Sequence, residues 1–191
     1  VISDLHAIDI KVMPAVIAIL KQEEVDALVL NGDLFGERSR YQRREYFATL
    51  LEIAGQSGLE TDVLPGSHEE IQIFNPVLAH FTQRYGNIRN TFDNPKMVRG
   101  DHHLVFLQGS DWRSGGAVQR GFSLESQHPS GYHSSGEGVI RAVNIMDLRD
   151  LVTEPERTIV FSHVPRRFDN LETGVDMAEF LTTEQEFSLN N

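Results

Sequence analysis

Four short stretches of this chain end in residues that can ligate metals or move protons. They are Asp4 and His6 in "VISDLH", Asp33 in "LVLNGD", Ser67, His68 and Glu69 in "VLPGSHE", and His163 in "IVFSH". Each follows an apolar run that reads as a β-strand. In open α/β sheets, sites gather beyond the carboxyl ends of strands, so these four ends can converge. Singly, each has an ordinary reading. Asp-x-His makes a turn with a capping aspartate, Asn-Gly-Asp makes a loop, and His68 makes a partly buried, hydrogen-bonded histidine. Weight comes from their order, each after a strand.

The bulk properties narrow the chemistry. The 191 residues are 40% apolar and 24% charged, which suits one domain with a real core. Cysteine is absent, so disulfides, thiolate metal sites and cysteine nucleophiles are excluded. Histidine and carboxylate remain as ligands, a set compatible with manganese, iron, zinc, nickel or cobalt. A formal charge of −11 disfavours long contacts with nucleic acid. No apolar run reaches the roughly 20 residues of a membrane helix and no signal peptide is visible, so the expectation is a cytoplasmic chain without a membrane partner. The chain opens inside a strand at Val1, so a few leading residues are expected before it.

Strands and helices alternate through the first two thirds. Residues 12–22 read as a helix with Val12, Val16, Ile17 and Leu20 on one side. "DALVLNGD" reads as a strand buried on both faces, as parallel strands are. Residues 41–54 give a second helix, with Phe47, Leu50, Leu51 and Ala54 inward and Gly55 just past its end. After the strand "TDVLPG", a third helix is expected to start with Asn75 as N-cap and Pro76 at its first position, to bury Val77, Leu78 and Phe81, and to stop before Gly86. "KMVRGDHHLVFLQG" reads as a hairpin turning at Gly100-Asp101. Residues 109–137 are Gly- and Ser-rich without a period, a long irregular loop that could lie over the site. A helical pattern returns over 138–151, and "RTIVFSHVP" reads as a last buried strand.

In that order, "DLH" at 4–6, "GD" at 32–33, "GSHE" at 66–69 and "SHVP" at 162–165 resemble the signature of the calcineurin-like metallophosphoesterases, over residues 1 to about 165. The resemblance implies an α/β (α+β) fold, a β-sandwich of mixed sheets flanked by helices. It implies a phosphoesterase with two divalent metal ions, manganese first among the metals above, acting on a phosphomonoester or phosphodiester through a metal-activated hydroxide. Asp4 and His6 would bind one metal, Asp33 would bridge both, and His163 would bind the second. His68 would be the general acid toward the leaving alkoxide, with Glu69 orienting its ring. Two cations about 3.5–4 Å apart stabilise the attacking and leaving oxygens of an in-line displacement.

Two positions depart from that signature. Ser67 stands where the family has asparagine, and its hydroxyl is a weak neutral ligand at best, so the second metal should bind less tightly. No Gly-His-x-His follows His163, which reads as a single domain over 1–191 lacking its closing segment. His80, His102 and His103 are expected on the solvated surface, whereas His128 and His133 sit in the irregular loop. Arg38, Arg40, Arg43 and Arg44 read as a solvated helix face, and Arg166 and Arg167 as the better substrate contacts. Two other readings stay open. One is a non-catalytic scaffold on the same fold. The other is a nuclease of the family, because "NGDLF" resembles the motif of the recombination nucleases.

Overall fold

The computed structural model describes residues 1–36, 39–66, 69–91, 93–107 and 151–163. Arg38, Ser67, His68, His128, His133, Arg166 and Arg167 lie outside these, as do the segment 109–137 and all of the expected 138–151 helix except Leu151.

Two three-stranded sheets carry the site. In the first, β1 (Ala27–Asn31), β2 (Glu60–Leu64) and β3 (Ile88–Asn90) run parallel in that order. The opening "VIS" lies along the side of β1 away from β2. Ile2 donates its amide to the Val29 carbonyl at 2.8 Å and accepts from the Asn31 amide at 2.7 Å. The second sheet is mixed. β4 (Lys96–Arg99) and β5 (His102–Leu107) form the expected hairpin around Gly100, and β6 (Thr158–Ser162) runs parallel to β5.

Alternation along the parallel strands decides which core each residue joins. Leu28, Leu30 and Val63 face the helices, and Val29 and Leu64 face Leu104 and Phe106 of the second sheet. The sheets therefore stack as a sandwich, with α1 (Met13–Gln22), α2 (Arg40–Ser57) and α3 (Ile71–Arg84) against the outer face of the first. Phe35, Phe47 and Phe74 fill the middle of that helical layer, with ring centroids 5.4 and 5.2 Å apart. Asp62 is buried between Arg89 of β3 and Arg99 of β4, which ties the two sheets together at one edge. No helix among the described residues is long and apolar enough to cross a membrane.

Several expected boundaries shift. Helix α1 turns Met13 and Ile17 inward and leaves Val12 exposed. Helix α3 begins at Ile71, so Asn75 is not its cap and Pro76 lies inside it. The Glu70 carbonyl accepts from the Ile73 and Phe74 amides and starts the helix early. Burying Ile73 and Phe74, at about 1.5–3 kcal/mol each, offsets the roughly 3 kcal/mol a proline costs within a helix. Strand β6 is less buried than its apolar run predicts. It lies at the margin of its sheet among the described residues, and Ile159 and Val160 stand exposed.

Helix α2 is longer than expected. Ser39 and Gln42 form a reciprocal capping box at its start, and the helix runs through Gly55 to Ser57 before Gly58 closes it at φ 76°. Gly55 serves packing instead, because a Cβ there would lie 2.4 Å from the Tyr85 ring. The two glycines should respond differently to alanine. G58A, with open space around its Cβ, should cost about 1–2 kcal/mol from the left-handed backbone alone. G55A should cost up to about 3 kcal/mol by overpacking and should shift the Tyr85 ring resonances, whereas G58A leaves them in place. Urea midpoints and NMR spectra of the two variants check this.

Candidate metal centre

The carboxyl ends of β1, β2 and β6 meet the turn that follows Ile2. Asp4, Asp33 and His163 bring one ligating atom each to within 4.8 Å of one another. His163 Nε2 is 3.2 Å from Asp33 Oδ2. His6 Nε2 closes the cluster at 3.7 Å from Asp4 Oδ1 and 3.9 Å from Asp33 Oδ2. Exposure is graded across the group. The side chains of Asp33 and His163 are 7% and 5% exposed, and those of Asp4 and His6 are 58% and 47% exposed. The cluster has a buried floor and an open mouth.

The backbone is bent to achieve this. Asp4, His6, Ala7 and Asp33 all lie at positive φ, between 43° and 56°. Side chains rarely adopt that region, and such strain persists only where the surroundings hold it. Hydrogen bonds do so here. The amides of Asp4, His6 and Ala7 donate to the carbonyls of Gly32, Asp33 and Leu34 at 3.1, 2.9 and 3.2 Å. The two ligand turns are thus zipped to one another residue by residue.

Glycine allows the third loop to approach. A Cβ on Gly66 would lie 2.5 Å from both the amide nitrogen and Oδ1 of Asp33, and one on Gly32 would lie 2.7 Å from Gly66 Cα and His163 Cγ. Glu69 then secures the approach. Its fully buried carboxylate accepts the amides of Gly66 at 2.6 Å and Asp33 at 2.9 Å through one oxygen, and of Leu34 at 2.7 Å through the other. Burial, then the charge of Asp33, push the Glu69 carboxyl up to about 7 against the pull of these amides.

His163 is oriented from behind. Its Nδ1 is 2.9 Å from the Asn31 carbonyl oxygen, which can only accept, so Nδ1 carries a proton and Nε2 faces Asp33. Burial alone would depress this imidazole. The hydrogen bond and charge of Asp33 outweigh burial and push it up to about 9. Ser3 Oγ, 3.4 Å from Nδ1, gives the group the connectivity of a nucleophilic triad. It cannot act as one, because the protonated Nδ1 has no lone pair to take the Ser3 proton.

A sequence model of the calcineurin-like phosphoesterases matches residues 1–184, further than the spacing of the four motifs alone reaches. The chain belongs to the calcineurin-like phosphoesterase family. No curated protein matches it. The protein TT1561 of Thermus thermophilus is similar in fold, with a TM-score of 0.51 at 18% identity over 61% of this chain and 51% of that one. A second solved chain aligns at a TM-score of 0.46 and 19% identity, over 57% of this chain and 51% of its own. The chain thus spans about half the length of the solved structures it matches.

Calcineurin-like phosphoesterases are in general metal-dependent hydrolases of phosphate esters that bind two divalent ions. The residues present fit a cation of that kind. Two carboxylates and two imidazoles converge, and the imidazole on the buried side offers Nε2 because its other nitrogen is already committed. Among the other residues singled out in the sequence, His80 and His102 are exposed and His103 is partly so. Arg44 is exposed, but Arg43 departs from the expected solvated face. Its side chain is 16% exposed and pairs with the buried Glu70, which also takes Arg40 Nε at 3.3 Å. Two contributors escaped the sequence reading. Asn31 acts through its carbonyl, and Ser3 acts through a hydroxyl that donates to that same carbonyl at 3.0 Å. A backbone carbonyl leaves no mark in residue type, so the sequence does not mark the role of Asn31, and Ser3 shows only as a hydroxyl beside Asp4.

The Glu69 staple has a direct consequence. E69Q replaces an acceptor oxygen with a donor, so at least one buried amide loses its partner. A loss of about 1–3 kcal/mol is expected, read as a lower urea midpoint with an unchanged m-value.

Proposed function

We propose that this chain is a metal-dependent phosphohydrolase acting on a phosphomonoester or phosphodiester, with Asp4, His6, Asp33 and His163 holding its divalent ions and Asp33 shared between two of them. The observation that carries this reading is the convergence of Asp4, Asp33 and His163 on one point, with the His6 imidazole beside them. When bound, the two cations neutralise phosphoryl charge and make a nearby water more acidic. The remaining work belongs to the chain. Asp33, buried and held at its own amide by Glu69, keeps one carboxylate in a fixed place. His163 presents Nε2 because the Asn31 carbonyl holds its Nδ1 proton. Asp4 and His6 line the open side, where an ester enters.

His68 is the proposed proton donor to the leaving oxygen, and Arg166 and Arg167 the proposed contacts to the phosphoryl group. Glu69, joined to the Gly66 amide, positions the segment that carries His68. Ser67 is a short neutral donor in place of a longer one, so the second ion is proposed to bind more weakly than the first. Manganese is the metal proposed, and the cytoplasm the proposed location. The formal charge of −11 favours a small ester over a long nucleic acid.

Elemental analysis of the full chain and of S67N, paired with hydrolysis of a generic aryl phosphate ester, tests this. About two ions per chain are expected in S67N, with fewer in the wild type, and chelation should abolish turnover in both. D33N should lose metal and activity together, by a factor of at least about 100 in rate. Metal-loaded chain that turns over no aryl phosphate, with His68→Ala folding and behaving identically, would leave the scaffold reading in its place.

A further inference from the structure

Glu70 sits beside the staple but points elsewhere. Its side chain is 2% exposed, yet it carries charge into the base of the helical layer, where Arg43 and Arg40 meet it. Arg43 lies one turn into α2, and α2 follows the loop that begins at Asp33. The turn after β2 therefore grips the Asp33 loop twice. Glu69 takes the backbone amides at its start, and Glu70 takes the arginine side chains at its far end.

We infer that the buried Glu70–Arg43 ion pair is a positioning device for the metal centre, fixing how the start of α2 and the Asp33 turn stand against Glu69 and the start of α3. This rests on the proposed metal-dependent function. The physical argument is one of direction rather than stability. Removing two charges from water costs about as much as their attraction returns, so a buried ion pair adds little net stability. What a bidentate-capable guanidinium and a carboxylate do supply is a fixed distance and angle between the elements that bear them. The elements joined here are the start of α2 and the N-terminus of α3, whose first turn hangs on the Glu70 carbonyl. Glu70 thus fixes α3 through its backbone and α2 through its side chain. Asp33 follows the end of β1 on the way to α2, and Glu69, which holds the Asp33 amide, follows the end of β2 just before α3. Apolar side chains of similar volume would fill the same space and leave the spacing unspecified.

The test compares full-length wild type, E70Q, R43M and the double variant E70L/R43M. Urea midpoints report folding, calorimetric titration with Mn2+ reports affinity, and an aryl phosphate reports kcat and KM separately. E70Q removes the charge that Arg43 and Arg40 face, R43M leaves Glu70 with Arg40 alone, and each should unfold at lower urea. The double variant should regain the wild-type midpoint yet bind Mn2+ at least about tenfold more weakly, with kcat falling more than KM changes. A double variant with both the midpoint and the Mn2+ affinity of wild type overturns the inference, because the pair would then be structural only. If the double variant does not fold, E70D decides. It keeps the charge and shortens the arm, so wild-type Mn2+ affinity in E70D also overturns the inference, and weakened affinity in a stably folded E70D supports it. Wild type that takes up no Mn2+ at all sinks the metal reading itself, an outcome distinct from both.

Discussion

The arrangement of the whole site depends on one buried carboxylate that touches no substrate. Glu69 accepts backbone amides from both sides of the gap between the β1 and β2 loops, its own Gly66 on one side and Asp33 and Leu34 on the other. A charged acceptor in a dry site makes strong, short hydrogen bonds to amides that would otherwise be orphaned. Its burial raises the cost of the charge and pushes the carboxyl up to about 7. Asp33 adds to that cost through its own negative charge, so the staple and the ligand it holds repel each other. A bound cation would relieve both.

Around this staple, the chain accepts strain in the two turns that carry Asp4, His6 and Asp33. Asp4, His6, Ala7 and Asp33 hold left-handed backbone, and the amides of the first three each donate to a carbonyl of the segment Gly32–Leu34. Gly32 and Gly66 let the strand ends come closer than any side chain would permit. Rigid loops of this kind suit a site whose task is to fix charges in space, since phosphoryl transfer needs positioning and neutralisation more than a protein nucleophile. His163 completes the floor from the second sheet. Its orientation comes from the first sheet, through the carbonyl of Asn31, and the Asn31 side chain in turn donates to the Ser162 carbonyl at 3.2 Å. The centre is therefore also the seam where the two sheets are joined, and loss of either sheet's end would dissolve it.

The strand ends and the chemistry they carry were legible in the order of residues. Buried strands read as unbroken apolar runs, a capped turn of polar residues marks where each stops, and parallel order sends those ends to one side. Asp4, His6, Asp33, Glu69 and His163 could therefore be picked from pattern, as could the Gly100 hairpin and the inward faces of α2 and α3. Local punctuation misled where burial outweighed it. Pro76 looked like a helix start, but Phe74 and Ile73 drew the helix back to Ile71. Gly55 looked like a helix end, but the Tyr85 ring required its missing side chain. Folding in three dimensions was needed to settle which groups each of those side chains serves. Glu69 binds amides that are distant in sequence, Glu70 chooses Arg43 over solvent, and His163 takes its tautomer from a carbonyl 132 residues away. Those partners are backbone atoms or long-range neighbours, identical in every residue type or set only by packing, and neither kind is written in the local order of the chain.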